Sequence, residues 1–321
     1  MHPVPRFLAL TVPLVALAAT ATEYFVAPNG NDADPGTREQ PWLTTGKANA
    51  TLQPGDTATF PDGTYPGVIE PAASGTEAAP ITYRAATPRA VVLSGGKASS
   101  GKDLCVFLKG RSHIVLSGFQ LLPERGGWFL WEGTSHCVMR DSHMEKATGQ
   151  WAPAHLQDCH YNRFENLEAW RAISVDANGH VGGNMFQLFA STHNVLQNNL
   201  FADNDPDGDG VQLSMAGNIA IDNRFHANLL FGGRPGMATI RYAWPAAATD
   251  TGVRSALRTP DQANTLLPDQ FAANLDGAPQ FADLAADDYR LQPGSPAIDT
   301  GRPRYCRKVT GPDPRIAQVE K

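Results

Sequence analysis

The chain has 321 residues, 42% of them hydrophobic, and 26 Lys and Arg against 32 Asp and Glu leave a formal net charge of −6. An acidic balance with no basic cluster excludes a binder of phosphate backbones, so no nucleic-acid partner is expected. The length admits one large repeat domain or two ordinary ones. Beyond the N-terminal segment no apolar run is long enough to span a bilayer.

The chain opens on His2 and Arg6, an apolar run over residues 7–19, and Ala19-Thr20-Ala21, which fits a small-x-small cleavage site. This predicts a signal peptide over residues 1–21, a secreted product (extracellular or periplasmic), and no membrane contact after cleavage. Export permits disulfides among Cys105, Cys137, Cys159 and Cys306. Cys137 follows His136 whereas Cys159 precedes His160, an offset that disfavours pairing between them.

The segment 22–42 reads as a strand followed by an Asn/Gly/Asp/Pro loop. A short helix over residues 46–52 is placed to cap the open end of a repeat domain. Pro54-Gly55-Asp56 and Asp62-Gly63 are turn signals around a strand at Thr57–Phe60. Segments 74–86 and 90–96 read as the first full coils.

Between residues 104 and 226 one phrase recurs: GRSHIVLSGFQL (110–121), GTSHCVMRDSHM (133–144), QDCHYNRFENLE (157–168), ASTHNVLQNNLF (190–201) and MAGNIAIDNRFH (215–226). His113, His136, His160 and His193 take equivalent places, with Gly217 in the last copy. The steps between them (136 − 113, 160 − 136, 193 − 160 and 217 − 193) are 23, 24, 33 and 24 residues. Units of this length cannot bury an apolar face alone, so they stack. The longer step predicts an insertion near residues 176–184. Leu116, Phe119 and Leu121 match Met139, Ser142 and Met144. Leu196, Asn199 and Phe201 align with Ala220, Asn223 and Phe225, while Phe164 and Leu167 fit only after a one-residue slip. The asparagines and histidines are read as stacked turn residues. After residue 245 the pattern weakens: 246–271 reads as helical or irregular, and 277–301 closes the domain. The expected architecture is all-β: one right-handed parallel β-helix of roughly 8–10 rungs over residues 22–301. It carries an N-terminal cap, an irregular C-terminal segment and a loose tail, 302–321. A monomer is expected.

The phrases YFVAPNGNDADPGT, LQPGDTATFPDGTY and GTEAAPITYRAATPRAVVLSGG resemble the N-terminal part of secreted parallel β-helix proteins of the pectate-lyase-like superfamily, and DYRLQPGSPAIDTG resembles its closing segment. That resemblance implies the fold and export. It leaves open lyases, glycoside hydrolases, epimerases and non-catalytic members. FADNDPDGDGVQL (201–213) resembles the calcium-bearing stretch of family-nine pectate lyases. The lysine that takes the proton in that family has no counterpart in Val211-Gln212-Leu213-Ser214.

Asp205, Asp207 and Asp209 stand at alternate positions before Gly210, the first half of a calcium loop. The twelfth position is Ala216 rather than Glu, so Asp203 or Asp176 would have to complete a site. Stacking the strands that precede each turn lines up Lys109, Glu132, His155, Gln187, Gln212 and Arg241, with Trp131, Trp151 and Trp170 nearby as platforms for sugar faces. β-Elimination on a polyuronate needs a cation for the carboxylate, a base and an acid. His155, Arg241, Lys109 and Glu132 are the catalytic candidates, Trp131, Gln187 and Gln212 the substrate-binding ones, and Asp203, Asp205, Asp207 and Asp209 the calcium ligands. Histidine is the easier base, because arginine stays protonated to a pKa above about 12. The expected function is cleavage of an acidic extracellular polysaccharide by a lyase. The alternatives are a hydrolase using Glu132 with Asp158 or Asp209, or a non-catalytic carbohydrate-binding β-helix.

Overall fold

The computed structural model describes residues 21–297 apart from 123–125, 146–147, 150–152, 171–172, 176–180, 183–184, 203, 205–209, 217–221, 246–252 and 284–287. The expected signal peptide, apart from Ala21, and the tail 302–321 lie outside the described residues.

Each coil lays down three short strands, one on each of three parallel sheets. The first face runs from Glu23–Phe25 through Ile114–Ser117 and Val195–Gln197 to Phe271–Ala272, nine strands in all. The second runs from Gly63–Pro66 to Leu229–Phe231. The third stacks Val106–Lys109, Trp128–Trp131, Ala154–Gln157, Phe186–Phe189, Leu213–Ala216 and Ile240–Pro245 in parallel, and Val253–Arg258 closes it antiparallel. This is a parallel β-helix, as the repeats predict. Most strands have three or four residues, which suffices because each inner strand is paired on both sides by its neighbours in the stack.

Alternation sends one side chain in two to the axis. On the first face Leu116, Met139, Phe164, Leu196 and Phe225 stack in register and are all buried. On the second face Leu121, Met144, Ala169, Phe201 and Leu230 do the same. Phe164 meets Phe186 edge-on at 4.8 Å, and Phe225 stacks on Phe271 at 4.6 Å. Burying each such ring is worth roughly 1.5–3 kcal/mol.

The register corrects part of the repeat alignment. Val115, Val138, Arg163, Val195 and Arg224 stack, so successive coils (138 − 115, 163 − 138, 195 − 163 and 224 − 195) hold 23, 25, 32 and 29 residues. Leu196 therefore pairs with Phe225 and not Ala220, and Asn199 sits over Asn228 and not Asn223. At the left-handed turn the equivalent residues are His113, His136, Tyr161, His193 and Asp222, with φ of 55°, 56°, 59°, 58° and 59°. Tyr161 takes the place expected of His160, which sits one residue earlier in a separate bridge ladder. Asp222 takes the place expected of Gly217, which lies outside the described residues. The rings stack rung on rung: His113 on His136 at 5.0 Å, His136 on Tyr161 at 5.2 Å, and Tyr161 on His193 at 4.7 Å. The long coil carries its insertion as a hairpin, with Val175 opposite Val181, where the step of 33 predicts one.

Two buried asparagine ladders hold the bends. Asn162 N–H donates to Asn194 Oδ1 and Asn194 N–H to Asn223 Oδ1, at 3.0 and 2.9 Å. At the second bend Asn199 N–H donates to Asn228 Oδ1 and Asn228 N–H to Asn274 Oδ1, at 3.0 and 3.1 Å. Each side chain supplies the acceptor that a bend denies the backbone, so these four ladder amides are paired in the interior.

The N-terminal end is covered by helix Thr45–Thr51, capped by Thr44, with Ala48 and Leu52 joining the core. Near the other end, the segment 246–271 contains the strand Val253–Arg258 as well as the helix Pro260–Leu266, whose Ala263 enters the core. Cys105, Cys137 and Cys159 are buried free thiols. Burial pushes Cys105 and Cys137 up to about 12 and raises Cys159 as well. Cys306 lies outside the described residues.

Candidate functional site on the third face

The strands of the third face bring most of the chemistry together. Phe107, Phe129, His155, Gln187, Ser214 and Arg241 occupy one register row, with side chains turned away from the axis. His155 and Arg241 are three strand spacings apart, about 14 Å. A second outward row lies two residues further along each strand: Lys109, Trp131, Gln157 and Phe189.

His155 is only 3% exposed and its Nε2 has no solvent access. Its Nδ1 donates to Gln187 Oε1 at 3.1 Å, which leaves the lone pair on Nε2. The ring stacks on Phe129 at 5.3 Å. Burial lowers its pKa below the ordinary 6.5, the Lys102 charge adds to that, and hydrogen bonds from the ring to Gln187 and Gln157 oppose it. The imidazole is thus neutral at pH 7.

Phe107 and Phe129 face outward yet are buried, because Ala98 and Leu104 of the hairpin that pairs Lys97 with Asp103 join the two rings in one buried cluster. Lys102 sits on this hairpin.

Other predicted residues are not where the alignment placed them. Gln212 is fully buried and is not part of the outward row; Ser214 holds that position. Gln212 Oε1 accepts from Asn204 Nδ2 at 2.7 Å, and its Nε2 donates to the Gly210 carbonyl at 3.1 Å. It therefore ties together the two ends of the acidic loop. Lys109 belongs to the second row, and Glu132 lies in the turn after Trp131 at φ 49°. The two pair with each other at 3.0 Å, both more than half exposed. Asp158 occupies the equivalent turn place on the next rung and pairs with His160 at 3.2 Å. Trp131 is half-buried, held edge-on to Phe107 at 5.6 Å, and Phe189 is 42% exposed. Trp151 and the aspartates 203, 205, 207 and 209 lie outside the described residues, as does Asp176. Among the described residues no three His, Cys, Asp or Glu side chains group as metal ligands.

The chain is a parallel β-helix with an outward polar row on one face, the fold class of the pectate-lyase-like proteins. The sequence profile of the chondroitinase B family matches residues 46–241, ending on Arg241, and the chain belongs to that family. YwoF of Bacillus subtilis (strain 168), an uncharacterized protein, is 27% identical over 201 residues, 54% of this chain and 41% of its own length. The chain thus spans well under half of that relative. Among solved structures, pectate lyase Pel9A is 19% identical with a TM-score of 0.48, covering 85% of this chain and 86% of its own. A rhamnogalacturonan lyase is 15% identical with a TM-score of 0.46, covering 66% and 68%.

Proposed function

We propose that this protein is a polysaccharide lyase that cleaves an acidic, uronate-containing chain by β-elimination on the third face. The observation that carries the reading is the in-register row His155, Gln187, Ser214 and Arg241, in a chain of the chondroitinase B family. In the reaction the proton on C5, next to the carboxylate, leaves to a base. Its electron pair becomes the C4=C5 double bond, the C4–O bond breaks, and the departing oxygen is protonated. Arg241 offers a planar fork of donors for the carboxylate. His155 is held neutral by burial, with Nε2 as the acceptor and Gln187 fixing the tautomer. Because Nε2 is covered, substrate entry must uncover it. Trp131 and Phe189 present ring surface beside the row.

Calcium fits the donor set of the acidic loop. Asp203, Asp205, Asp207 and Asp209 supply hard carboxylate oxygens only, and the Asn204–Gln212 bond joins the residues that flank the last three. Those four residues would hold the ion, and when bound it would offset the negative charge of the substrate. The segment 1–21 supports export to the extracellular or periplasmic space, where such polymers are met.

The test is a panel of pectate, alginate, dermatan sulfate and chondroitin sulfate, read at the ultraviolet absorbance of the unsaturated product. New absorbance with one polymer is the expected result. Reducing ends without absorbance would replace the lyase by a hydrolase, and binding without new ends would leave a carbohydrate-binding protein.

A further inference from the structure

We propose that cleavage after Ala21 makes Thr22 the N-terminal residue, and that its α-ammonium then closes an ion pair with the buried Asp56 carboxylate, so that processing completes the first coil; this rests on the export reading above. Sequence and structure meet at one peptide bond. Ala19-Thr20-Ala21 places the cut between residues 21 and 22. The ladder of the first face begins at residue 22: Thr57 N–H donates to the Thr22 carbonyl at 2.9 Å, and the strand Glu23–Phe25 follows, paired with Thr57, Ala58 and Thr59. Thr22 N–H itself donates to Asp56 Oδ1 at 3.0 Å. Hydrolysis of the 21–22 bond by a leader peptidase adds one water. Its oxygen goes to the new Ala21 carboxylate, and the Thr22 nitrogen leaves as an amine that is protonated at neutral pH.

Asp56 is built to receive that charge. It is 6% exposed and closes the turn from Gln53. Its Oδ2 accepts from Gln53 N–H at 2.9 Å, its own N–H donates to the Gln53 carbonyl at 3.0 Å, and its carbonyl accepts from Thr82 N–H at 2.9 Å. The carboxylate is thereby fixed with Oδ1 aimed at the Thr22 nitrogen. Among the described residues no Lys, Arg or His side chain forms an ion pair with it. Neutral donors offset only part of the cost of burying a carboxylate, and a cation in contact offsets more. The neighbouring acid, Glu23, is already engaged by Arg84 and the Thr59 hydroxyl. Cleavage puts an ammonium where a neutral N–H stood, at the same nitrogen, so the bond to Asp56 becomes charge-assisted without movement of the chain. Glu23–Phe25 is the end strand of its nine-stranded sheet, and a stack of coils opens from its ends. The precursor therefore lacks the lock on its first strand that the processed chain has.

The test has two arms. In the first, the full chain is expressed in a bacterial host with residues 1–21 in place, and the intact mass of the exported product gives its first residue. Thr22 is the expected start. A product that begins elsewhere overturns the processing site and the pair with it, and a chain kept uncut in the cytoplasm overturns the export reading as well. In the second arm, chains beginning at Thr22 with a free amine, at Thr22 with an acetylated amine, and at Ala21 are compared in wild type and in Asp56→Asn. Thermal melting and hydrogen exchange of the strand Glu23–Phe25 are the readouts. The free Thr22 chain should melt about 2–4 °C above the other two, the scale of one charge-assisted bond in a large domain. Its first strand should exchange about tenfold more slowly. Asp56→Asn, which keeps an acceptor and loses the charge, should bring the three chains together. Equal melting and exchange of the three wild-type chains overturns the pair while leaving the cut in place. A difference that persists in Asp56→Asn overturns Asp56 as the partner. If Asp56→Asn does not fold, the free and acetylated wild-type chains decide, because they differ in that one charge.

Discussion

The chemistry of this site turns on single residues whose surroundings set their charge. His155 is the clearest. Its folded pKa lies below the unfolded value of 6.5, with burial as the main cause. The unfolded chain therefore binds a proton more readily, and native stability is complete above about pH 6.5 and declines as pH falls toward the folded pKa. His155→Gln should flatten that part of an acid-side melting curve. If Nε2 takes the proton, kcat/KM should rise with pH to a plateau with an apparent pKa below 6.5, and His155→Gln should lose about 10²–10⁴-fold. A variant retaining both rate and profile would reduce His155 to a prop for Gln187. Arg241→Ala should cost about 10²–10³ in kcat/KM by removing the fixed cation, with the fold intact because the strand Ile240–Pro245 is braced on both sides. The identities of His155, Gln187 and Arg241 as row members were legible in the sequence. Gln212 was not, because Gln212 and Ser214 sit two residues apart in GVQLS on opposite sides of the strand's entry, and polarity alone does not separate a clamp inside from a contact outside.

At the scale of elements, the coil was legible and its exact phase was not. Apolar alternation and recurring turns announce the solenoid, because neither pattern works in an isolated unit. The last copy, MAGNIAIDNRFH, contains an asparagine at a tempting offset, whereas its match to NVLQNNLF (194–201) in the structure is Asn194 with Asn223 and Asn199 with Asn228. One residue of slip at Tyr161 likewise hid the ring stack, since the structure selects a left-handed backbone with a flat ring and not histidine as such. The ladders explain why asparagine marks the bends. Asn194 Oδ1 accepts from Asn162 N–H and Nδ2, while its Nδ2 donates to Asn223 Oδ1 and to the Cys159 carbonyl. Asn194→Ala leaves buried donors and acceptors unpaired, at about 1–3 kcal/mol each. Denaturant unfolding should show a lower midpoint in Asn194→Ala, and Asn194→Asp should not rescue it, because an acid keeps the acceptor but loses the amide donor. An unchanged midpoint would mean that water replaces the ladder.

Across the whole molecule each rung touches only its neighbours, so a stabilised rung supports the coils on either side and its effect is read in the melting of the entire stack. In sequence the acidic loop falls between the strands Leu200–Ala202 and Leu213–Ala216 of such rungs. Its base is closed between Asn204 and Gly210 by Gln212, and Asn204 Nδ2 also reaches the Ala169 carbonyl of the preceding coil at 3.1 Å. If Asp203, Asp205, Asp207 and Asp209 hold calcium there, the ion binds the native stack and not the unfolded chain. Stability should then rise by about 2.7 kcal/mol at a hundredfold excess over Kd. The repulsion among the aspartates, relieved on binding, adds to the same effect. The melting temperature should climb with calcium and respond far less to magnesium, which prefers a smaller, stricter octahedral shell. Asp207→Asn with Asp209→Asn should remove most of the rise. Screening by any salt predicts the opposite pattern: equal, small shifts for sodium, magnesium and calcium at matched ionic strength, in wild type and variant alike. That uniform response would withdraw calcium from the proposed function while leaving the row from His155 to Arg241 to be judged on its own variants.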